Sequence, residues 1–260
     1  MAEDDPRARA AELNEQLRPI EISAETVTRP AGAHTATVHA FLRHLREQGL
    51  DCVPEPLSLD RETETLRYIA GDSGGDAWTH QHDERGLSSA ARLLRRVHDA
   101  SETWVPPREA VFAAPPVDGG QVFVHGDPGP WNFVWRDGEA VALIDWDFLH
   151  PAPPMSDVAY ALQWFAPLRD DEAAVEWHHF PAVPDRRARA RAFRDAYGMP
   201  AGVDVADAVI AWVRYTGDHV RFLADQGHEP QKTWVADGLV EQTELADVEW
   251  IDAHRSLFTG

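Results

Sequence analysis

Cysteine and long apolar segments are both scarce in this sequence. Cys52 is the only cysteine among 260 residues, so no disulfide can form within the chain. No run of about 18 apolar residues occurs, which excludes a transmembrane helix. The start MAEDDPRARA is acidic where a secretory signal is basic. These absences predict a cytoplasmic protein that does not bind membranes.

Positive charge is scarce as well. The chain carries 24 Lys and Arg against 44 Asp and Glu, which gives a formal net charge of −20. Such a surface repels nucleic acid and anionic lipid, so we expect neither as a partner. The same field would attract a cationic small molecule, although an acidic surface is more often only a solubility feature.

The first 72 residues favour a small unit of mixed helix and strand. A glycine-rich break at 71–76 follows them, and we place the boundary between two lobes there. The predicted elements are, in chain order, a short helix over 4–17, strands over 20–23 and 26–30, a helix from about Ala36 to Gln48, and the strands LSL and TLRYIA.

Residues 73–260 favour a mainly helical lobe that contains one β-hairpin. QVFVH, NFVWR and EAVALID are typical of strands, and the Asp137-Gly138 pair between the last two predicts a two-residue turn, because both turn positions need positive φ. The predicted helices span Glu84 to Ser101 and about 157–169, 186–197, 203–226 and 231–256. The predicted fold class is therefore α+β, with lobes of 1–72 and 73–260.

The predicted hairpin brings three polar side chains together. Asp127 lies in the loop before it, Asn132 at the start of its first strand and Asp145 at the end of its second strand. Because an antiparallel pair returns its last residue to its first, Asn132 and Asp145 should face the same spot. Their oxygens suit Mg²⁺. Asp127 is then free to orient a hydroxyl nucleophile and accept its proton, as phosphoryl transfer requires.

The spacing of these residues matches a known pattern of phosphoryl-transfer enzymes. His125-Gly126-Asp127 is followed after four residues by Asn132, as in the H-R-D-x-x-x-x-N pattern of protein kinases. HGDPGPWN and LIDWDF resemble the catalytic loop and the metal-binding segment of the aminoglycoside phosphotransferase and choline kinase superfamily. The resemblance extends over roughly residues 26–260.

The resemblance implies a two-lobed, protein-kinase-like fold with a small, truncated β-containing N-terminal lobe and a mainly helical C-terminal lobe that carries the hairpin. It implies Asp127 as catalytic base, Asn132 and Asp145 as metal ligands, and His125 as a residue that orders the catalytic loop. Asp147, next to the metal segment, is a further candidate.

Each of these assignments has a structural alternative. An Asp in a Gly-Pro loop is usually a turn residue, although the whole motif favours catalysis for Asp127. For His125 a buried core role is favoured over proton transfer. Trp131, Trp135 and Trp146 are more typical of packing around the hairpin than of substrate stacking.

Asp157, in MSDVAYAL, also has two interpretations. It resembles the carboxylate that ties the catalytic loop to the following helix in this superfamily. An Asp before an apolar run is more commonly a helix N-cap, so both roles stay open here.

The N-terminal lobe departs from the kinase pattern. No glycine precedes Thr26, so the glycine-rich hairpin over the nucleotide phosphates is missing or replaced. Arg29 occupies the place of the usual Lys and could hold phosphate oxygens, or it is a surface arginine. The following helix has no acidic residue before Glu47, so an obvious ion-pair partner for Arg29 is absent. The backbone of Tyr68, Ile69 and Ala70 best matches the segment that receives the base of ATP or GTP.

These observations predict an enzyme that transfers the γ-phosphoryl group of ATP or GTP, with Mg²⁺, to a hydroxyl of an aminoglycoside-like or other small molecule. Acidic residues in the helical lobe, among them Asp157, Asp170, Asp171 and Glu172, could meet an amine-bearing acceptor. One alternative is a binding or immunity protein that keeps the kinase scaffold without competent nucleotide binding. Another is a tailoring kinase that acts on natural-product or peptide hydroxyls.

Overall fold

The computed structural model describes residues 20–200 and 202–258, so the helix predicted over 4–17 lies outside the described residues. The strands are β1 (Glu21–Ile22), β2 (Thr26–Pro30), β3 (Pro56–Leu59), β4 (Thr63–Arg67), β5 (Val122–Val124), β6 (Phe133–Arg136), β7 (Glu139–Leu143) and β8 (His150–Ala152). The helices are α1 (Thr35–Glu47), α2 (Glu84–Ser101), α3 (Pro154–Phe165), α4 (Asp171–Glu176), α5 (Arg186–Tyr197), α6 (Val205–Asp225), α7 (Gln231–Ala236) and α8 (Leu239–Ala253).

The N-terminal lobe is an antiparallel sheet with the strand order β1-β2-β4-β3, together with α1. The register of β2 and β4 sets Arg29 opposite Glu64. Helix α1 buries Val38, Phe41, Leu42 and Leu45, whose spacing of three and four residues makes one apolar stripe. Burial of each such side chain stabilises the fold by about 1.5–3 kcal/mol, which attaches α1 to the core.

The predicted hairpin is present as β6 and β7, which pair antiparallel from Phe133 with Leu143 to Arg136 with Glu139. Asp137 and Gly138 form its turn with φ of 52° and 77°, so both positions have the positive φ that the sequence predicted. Strand β5 pairs with β8, a strand that sequence patterns missed because it is only three residues long and contains a proline.

The helices of the C-terminal lobe differ from the predictions in two places. The single helix predicted over 231–256 is wrong, because Gly238 (φ 70°) separates α7 from α8. The short helix α4 was not predicted, and the side chain of Asp170 caps it by accepting from the Ala173 N–H at 2.9 Å. Within the described parts of the chain, no helix has the length and apolar character needed to cross a bilayer.

The chain leaves β4 and is fastened to the hairpin immediately afterwards. The Asp72 N–H donates to the Trp135 carbonyl at 3.0 Å, and the Trp135 N–H donates back to the Asp72 carbonyl at 2.8 Å. Gly71 makes this approach possible, since its φ is 147° and a Cβ atom there would lie 2.6 Å from the Trp135 oxygen. The segment between the lobes is therefore held against the hairpin by backbone hydrogen bonds.

We predict that Gly71→Ala lowers the free energy of unfolding by about 3–5 kcal/mol, because the new Cβ atom would meet the hairpin backbone and its φ is unfavourable for alanine. Urea unfolding measures the loss. Gly74→Ala is the matched control: Gly74 also has positive φ (60°), but no atom lies within 4 Å of the added Cβ. We expect a loss of about 1–2 kcal/mol there. Equal losses in the two variants would contradict the steric explanation.

Candidate active site

The catalytic loop at His125–Asp127 is fixed by one buried carboxylate. Asp157, in the first turn of α3, accepts from the backbone N–H groups of His125 at 2.7 Å and Gly126 at 2.9 Å. Its side chain is fully buried, and His98 Nε2 lies 3.0 Å from the same carboxylate. Asp157 therefore ties the loop to α3, and it is not the N-cap, because the N-cap position is Pro153.

The protonation of Asp157 follows from these partners. Burial alone would raise the pKa of its carboxyl group, but the hydrogen bond and charge of His98 and the Gly126 N–H lower that pKa overall. His98 is itself held by the Tyr197 hydroxyl, 2.7 Å from its Nδ1. The carboxylate therefore stays ionised and keeps its hold on the loop.

His125 orders the loop through both of its ring nitrogens. Nε2 lies 2.8 Å from the Ile144 carbonyl, and Nδ1 accepts from the Asp127 N–H at 3.2 Å. The ring is fully buried, and burial lowers its pKa, so the imidazole is neutral. Both ring nitrogens of His125 are therefore engaged in contacts that hold the loop against the hairpin.

Asp127 sits at the end of this loop with a partly exposed side chain that accepts three hydrogen bonds. Asn132 Nδ2 donates at 2.9 Å, Trp131 Nε1 donates at 3.4 Å, and the Tyr160 hydroxyl donates to the other oxygen. Loss of hydration raises the pKa of Asp127 to about 7. The Tyr160 hydrogen bond opposes this rise, whereas the charge of Asp145 adds to it.

Tyr160 is a site residue that the sequence analysis missed. Burial and the neighbouring carboxylate of Asp127 raise its pKa well above the ordinary value, so the phenol keeps its proton and donates. Tyr160 follows Asp157 by three residues on α3, and residues at this spacing share one helix face. This spacing was the available signal, since Asp157 was already expected to face the loop.

The two predicted metal ligands lie at adjoining ends of the hairpin. The Ile144 N–H donates to the Asn132 carbonyl at 2.8 Å, which brings the residue before Asp145 against Asn132. Asn132 Nδ2 also donates to the Asp127 carbonyl at 2.8 Å, so the side-chain oxygen is the atom left for another partner. Asp145 has a φ of 62°, a conformation rare outside glycine and often found at functional sites.

Arg29 binds three carboxylates across the two lobes. Its Nε lies 2.7 Å from Glu64, Nη1 2.7 Å from Asp145 and Nη2 2.6 Å from Asp147. Burial alone would lower the pKa of the guanidinium, but Asp147, Asp145 and Glu64 raise it. The absence of an ion-pair partner, expected from the acid-free helix, is wrong, because Glu64 on β4 supplies the partner.

Glu64 connects Arg29 to the helix. Its second oxygen lies 2.7 Å from His39 Nε2, and the side chains of Glu64 and His39 are only 2% and 1% exposed. His39 lies on α1, so the helix contributes an imidazole where kinases contribute a carboxylate. The missed signal was the cross-strand register, which pairs Arg29 with Glu64 directly.

The segment expected to receive a nucleotide base follows β4 immediately. The Tyr68 N–H already donates to the Glu25 carbonyl at 2.8 Å. Tyr68 and Ile69 are half-buried, and Ala70 is exposed. The Tyr68 N–H is therefore already engaged within the N-terminal lobe.

The acidic residues expected to surround an acceptor do not form a cluster beside the catalytic loop. Asp157 is buried in the loop tie, Asp170 caps α4, and Asp171 pairs with Arg186 at 2.8 Å. Glu172 is exposed in the first turn of α4. Among residues 20–200 and 202–258, no group of three or more His, Cys, Asp or Glu side chains has the arrangement of a metal site.

The three tryptophans around the hairpin divide into two kinds. Trp135 and Trp146 are each 1% exposed, which confirms a packing role. Trp131 is partly exposed and contacts Asp127.

The chain is similar to known phosphotransferases and to one immunity protein. A family model described as the phosphotransferase enzyme family matches residues 102–193, which include the catalytic loop, the hairpin and α3. The trifolitoxin immunity protein of Rhizobium leguminosarum bv. trifolii is 33% identical over 181 residues, which cover 66% of this chain and 67% of that protein.

Solved structures share the whole fold at low identity. Spectinomycin phosphotransferase in complex with ADP and spectinomycin gives a TM-score of 0.58 at 11% identity, over 91% of this chain and 88% of that one. Amicoumacin kinase in complex with AMP-PNP, Ca²⁺ and its ligand gives a TM-score of 0.55 at 11% identity, over 96% of this chain and 94% of that one. These matches confirm the two-lobed α+β kinase-like fold, and with the family match they show that the chain belongs to the phosphotransferase enzyme family of the aminoglycoside phosphotransferase and choline kinase-like superfamily.

Proposed function

We propose that the protein transfers the γ-phosphoryl group of ATP or GTP to a hydroxyl of a small molecule in the cytoplasm, with Asp127 as the base. The observation that carries this proposal is the state of Asp127, a partly exposed carboxylate at the end of an ordered loop, with a pKa of about 7. A general base is most effective when its pKa lies near the working pH. Asp127 is therefore able to orient an acceptor hydroxyl and to take its proton.

The residues at the hairpin ends fit a magnesium ion. Asn132 offers its side-chain oxygen, because Nδ2 is engaged with Asp127. Asp145 offers a carboxylate that is 46% exposed and shares one oxygen with Arg29. An amide and a carboxylate leave room for phosphate and water oxygens in an octahedral shell. When bound, the metal ion would neutralise charge on the transferred phosphoryl group.

The charge around Arg29 supports the same assignment. One guanidinium faces the three carboxylates of Glu64, Asp145 and Asp147, and His34 Nε2 lies 3.5 Å from Asp147. The charge of the exposed Asp145 carboxylate would attract a divalent cation. Arg29 would hold nucleotide phosphate oxygens as a permanent cation in the place of the usual Lys, and Tyr68, Ile69 and Ala70 would meet the base.

A second candidate is supported by the similarity to the trifolitoxin immunity protein. In this case the protein confers immunity by binding, without phosphoryl transfer. The absence of glycine before Thr26 favours it, because a glycine-rich loop normally covers the phosphates. A tailoring kinase for natural-product or peptide hydroxyls shares the first mechanism and differs only in its acceptor.

Nucleotide binding separates the two candidates. We expect millimolar ATP or GTP with Mg²⁺ to raise the melting temperature of the protein, since a ligand that binds the folded state stabilises it. The nucleotide without Mg²⁺ should have a smaller effect. No stabilisation by either nucleotide would favour the binding protein over the enzyme.

We predict that Asp127→Asn reduces phosphoryl transfer by orders of magnitude and leaves the fold intact, because the amide cannot accept the proton. The readout is release of ADP or GDP across a panel of hydroxyl acceptors. Asp137→Asn is the matched control, since Asp137 lies in the hairpin turn and Asn is compatible with its positive φ. Full activity of Asp127→Asn would reject Asp127 as the base.

We predict that the Asp127 carboxyl titrates near pH 7, and that Tyr160→Phe moves this titration to higher pH. The phenol hydrogen bond lowers the pKa of Asp127, so its loss raises that pKa and shifts activity that needs the carboxylate toward higher pH. ¹³C NMR of labelled aspartate carboxyls measures the titration, with Asp127→Asn for assignment. Tyr215→Phe is the control, because its hydroxyl donates to the Pro115 carbonyl at 3.1 Å.

We predict that Glu64→Gln lowers the free energy of unfolding by about 2–4 kcal/mol, because it removes one partner from a buried ion pair. It should also reduce the stabilisation by ATP with Mg²⁺, since Arg29 loses the contact that orients it. The control is Glu55→Gln, which breaks the exposed pair with Arg67 and should cost less than about 1 kcal/mol. Similar losses of unfolding free energy in both variants would argue against a stabilising buried ion pair between Arg29 and Glu64.

A further inference from the structure

Three partly exposed tryptophans from separate segments meet beside the catalytic loop. Trp78 lies in the 3-10 helix Gly74–Gln81, Trp131 in the 3-10 turn Pro130–Asn132 that follows the loop, and Trp164 on α3. Their ring centroids are 5.2 Å apart for Trp78 and Trp131, 4.8 Å for Trp131 and Trp164, and 6.0 Å for Trp78 and Trp164. All three keep part of their surface accessible. We call this cluster the indole wall.

The indole wall begins at the catalytic carboxylate. Trp131 Nε1 lies 3.4 Å from Asp127, and the Trp164 ring lies 6.2 Å from the ring of Tyr160, whose hydroxyl donates to Asp127. A molecule that brings a hydroxyl to Asp127 therefore passes close to these rings.

Charged groups near the wall disfavour a polycationic acceptor. The guanidinium of Arg169 lies 4.6 Å from the centroid of the Trp164 ring and is paired with Asp247 at 2.8 Å. His178, 5.0 Å from Trp164, has its pKa lowered to about 3 by burial and by Arg169, so it is neutral. The Asp157 carboxylate is occupied by the backbone N–H groups of the catalytic loop. The wall thus presents aromatic surface with the cation of Arg169 against Trp164.

We propose that the acceptor site binds an uncharged hydroxyl compound that carries a planar aromatic or heteroaromatic ring system, which stacks on the indole wall. This inference rests on the proposed function for the identity of the ligand as an acceptor. Aromatic rings stack at the centroid separations already present between these indoles. A flat ring beside Trp131 places its attached hydroxyl toward Asp127.

Binding of matched probes to the full-length protein tests the inference without any turnover. Isothermal titration compares 2-naphthylmethanol with decahydro-2-naphthylmethanol, which has the same carbon skeleton without aromaticity, and with the polycation neamine. We expect the naphthyl alcohol to bind about tenfold more tightly than the saturated alcohol or neamine, the difference that one aromatic contact of about 1.4 kcal/mol produces. Equal or tighter binding of either comparison compound, or no binding of the naphthyl alcohol at millimolar concentration, would overturn the inference.

Substitution of the wall locates the binding. Trp131→Leu and Trp78→Leu should each weaken naphthyl alcohol binding by about tenfold, whereas Trp131→Phe should retain most of it. The control is Trp250→Leu, since Trp250 stacks on His254 at 4.2 Å and is not among the ring contacts of the wall. Unchanged affinity in both wall variants would also reject the inference.

The two proposals fail separately. If Asp127→Asn does not reduce nucleotide turnover but the naphthyl alcohol binds at the wall, the phosphotransferase proposal fails and the aromatic site stands. If nucleotide turnover depends on Asp127 but neamine is the better ligand, the aromatic site fails alone.

Discussion

The guanidinium of Arg29 is the charge on which the geometry between the lobes depends. It joins strand β2 to Glu64 on β4 and to Asp145 and Asp147 after the hairpin. A buried cation of this kind needs compensation, because desolvation costs several kcal/mol. Three carboxylates supply it, and His39 fixes the most buried of them. The ion pairs of Arg29 therefore set the distance between the sheet and the hairpin, and with it the position of Asp145.

A second set of contacts, separate from the ion pairs of Arg29, fixes the position of the catalytic loop. Asp157 holds the loop backbone, His125 joins the loop to the end of β7, and Tyr160 meets the Asp127 carboxylate. Two carboxyl groups at this loop thus have opposite pKa shifts. The pKa of Asp157 is lowered because N–H donors and His98 outweigh burial, and the pKa of Asp127 is raised because loss of hydration outweighs its three donors. One is suited to hold structure, and the other to exchange a proton.

Sequence patterns predicted the parts of the molecule that depend on neighbours in the chain. The Asp137-Gly138 turn needs only two residues of positive φ, and α1 needs only an apolar stripe. Contacts between distant segments were beyond such patterns. The pairing of Arg29 with Glu64 depends on strand register. The break at Gly238 had a local signal that the prediction overlooked, since a glycine with positive φ interrupts a helix. The roles of Asp127, Asn132 and Asp145 stay predictions.

The paired backbone of Asp72 and Trp135 has a mechanical consequence. Two hydrogen bonds fix the chain to the hairpin at residue 72, and β4 holds it in the sheet up to Arg67. Bending of the connection between the lobes is then confined to the few residues between these anchors. The same residues are the ones proposed to receive a nucleotide base, so a bound base would also restrict this bending.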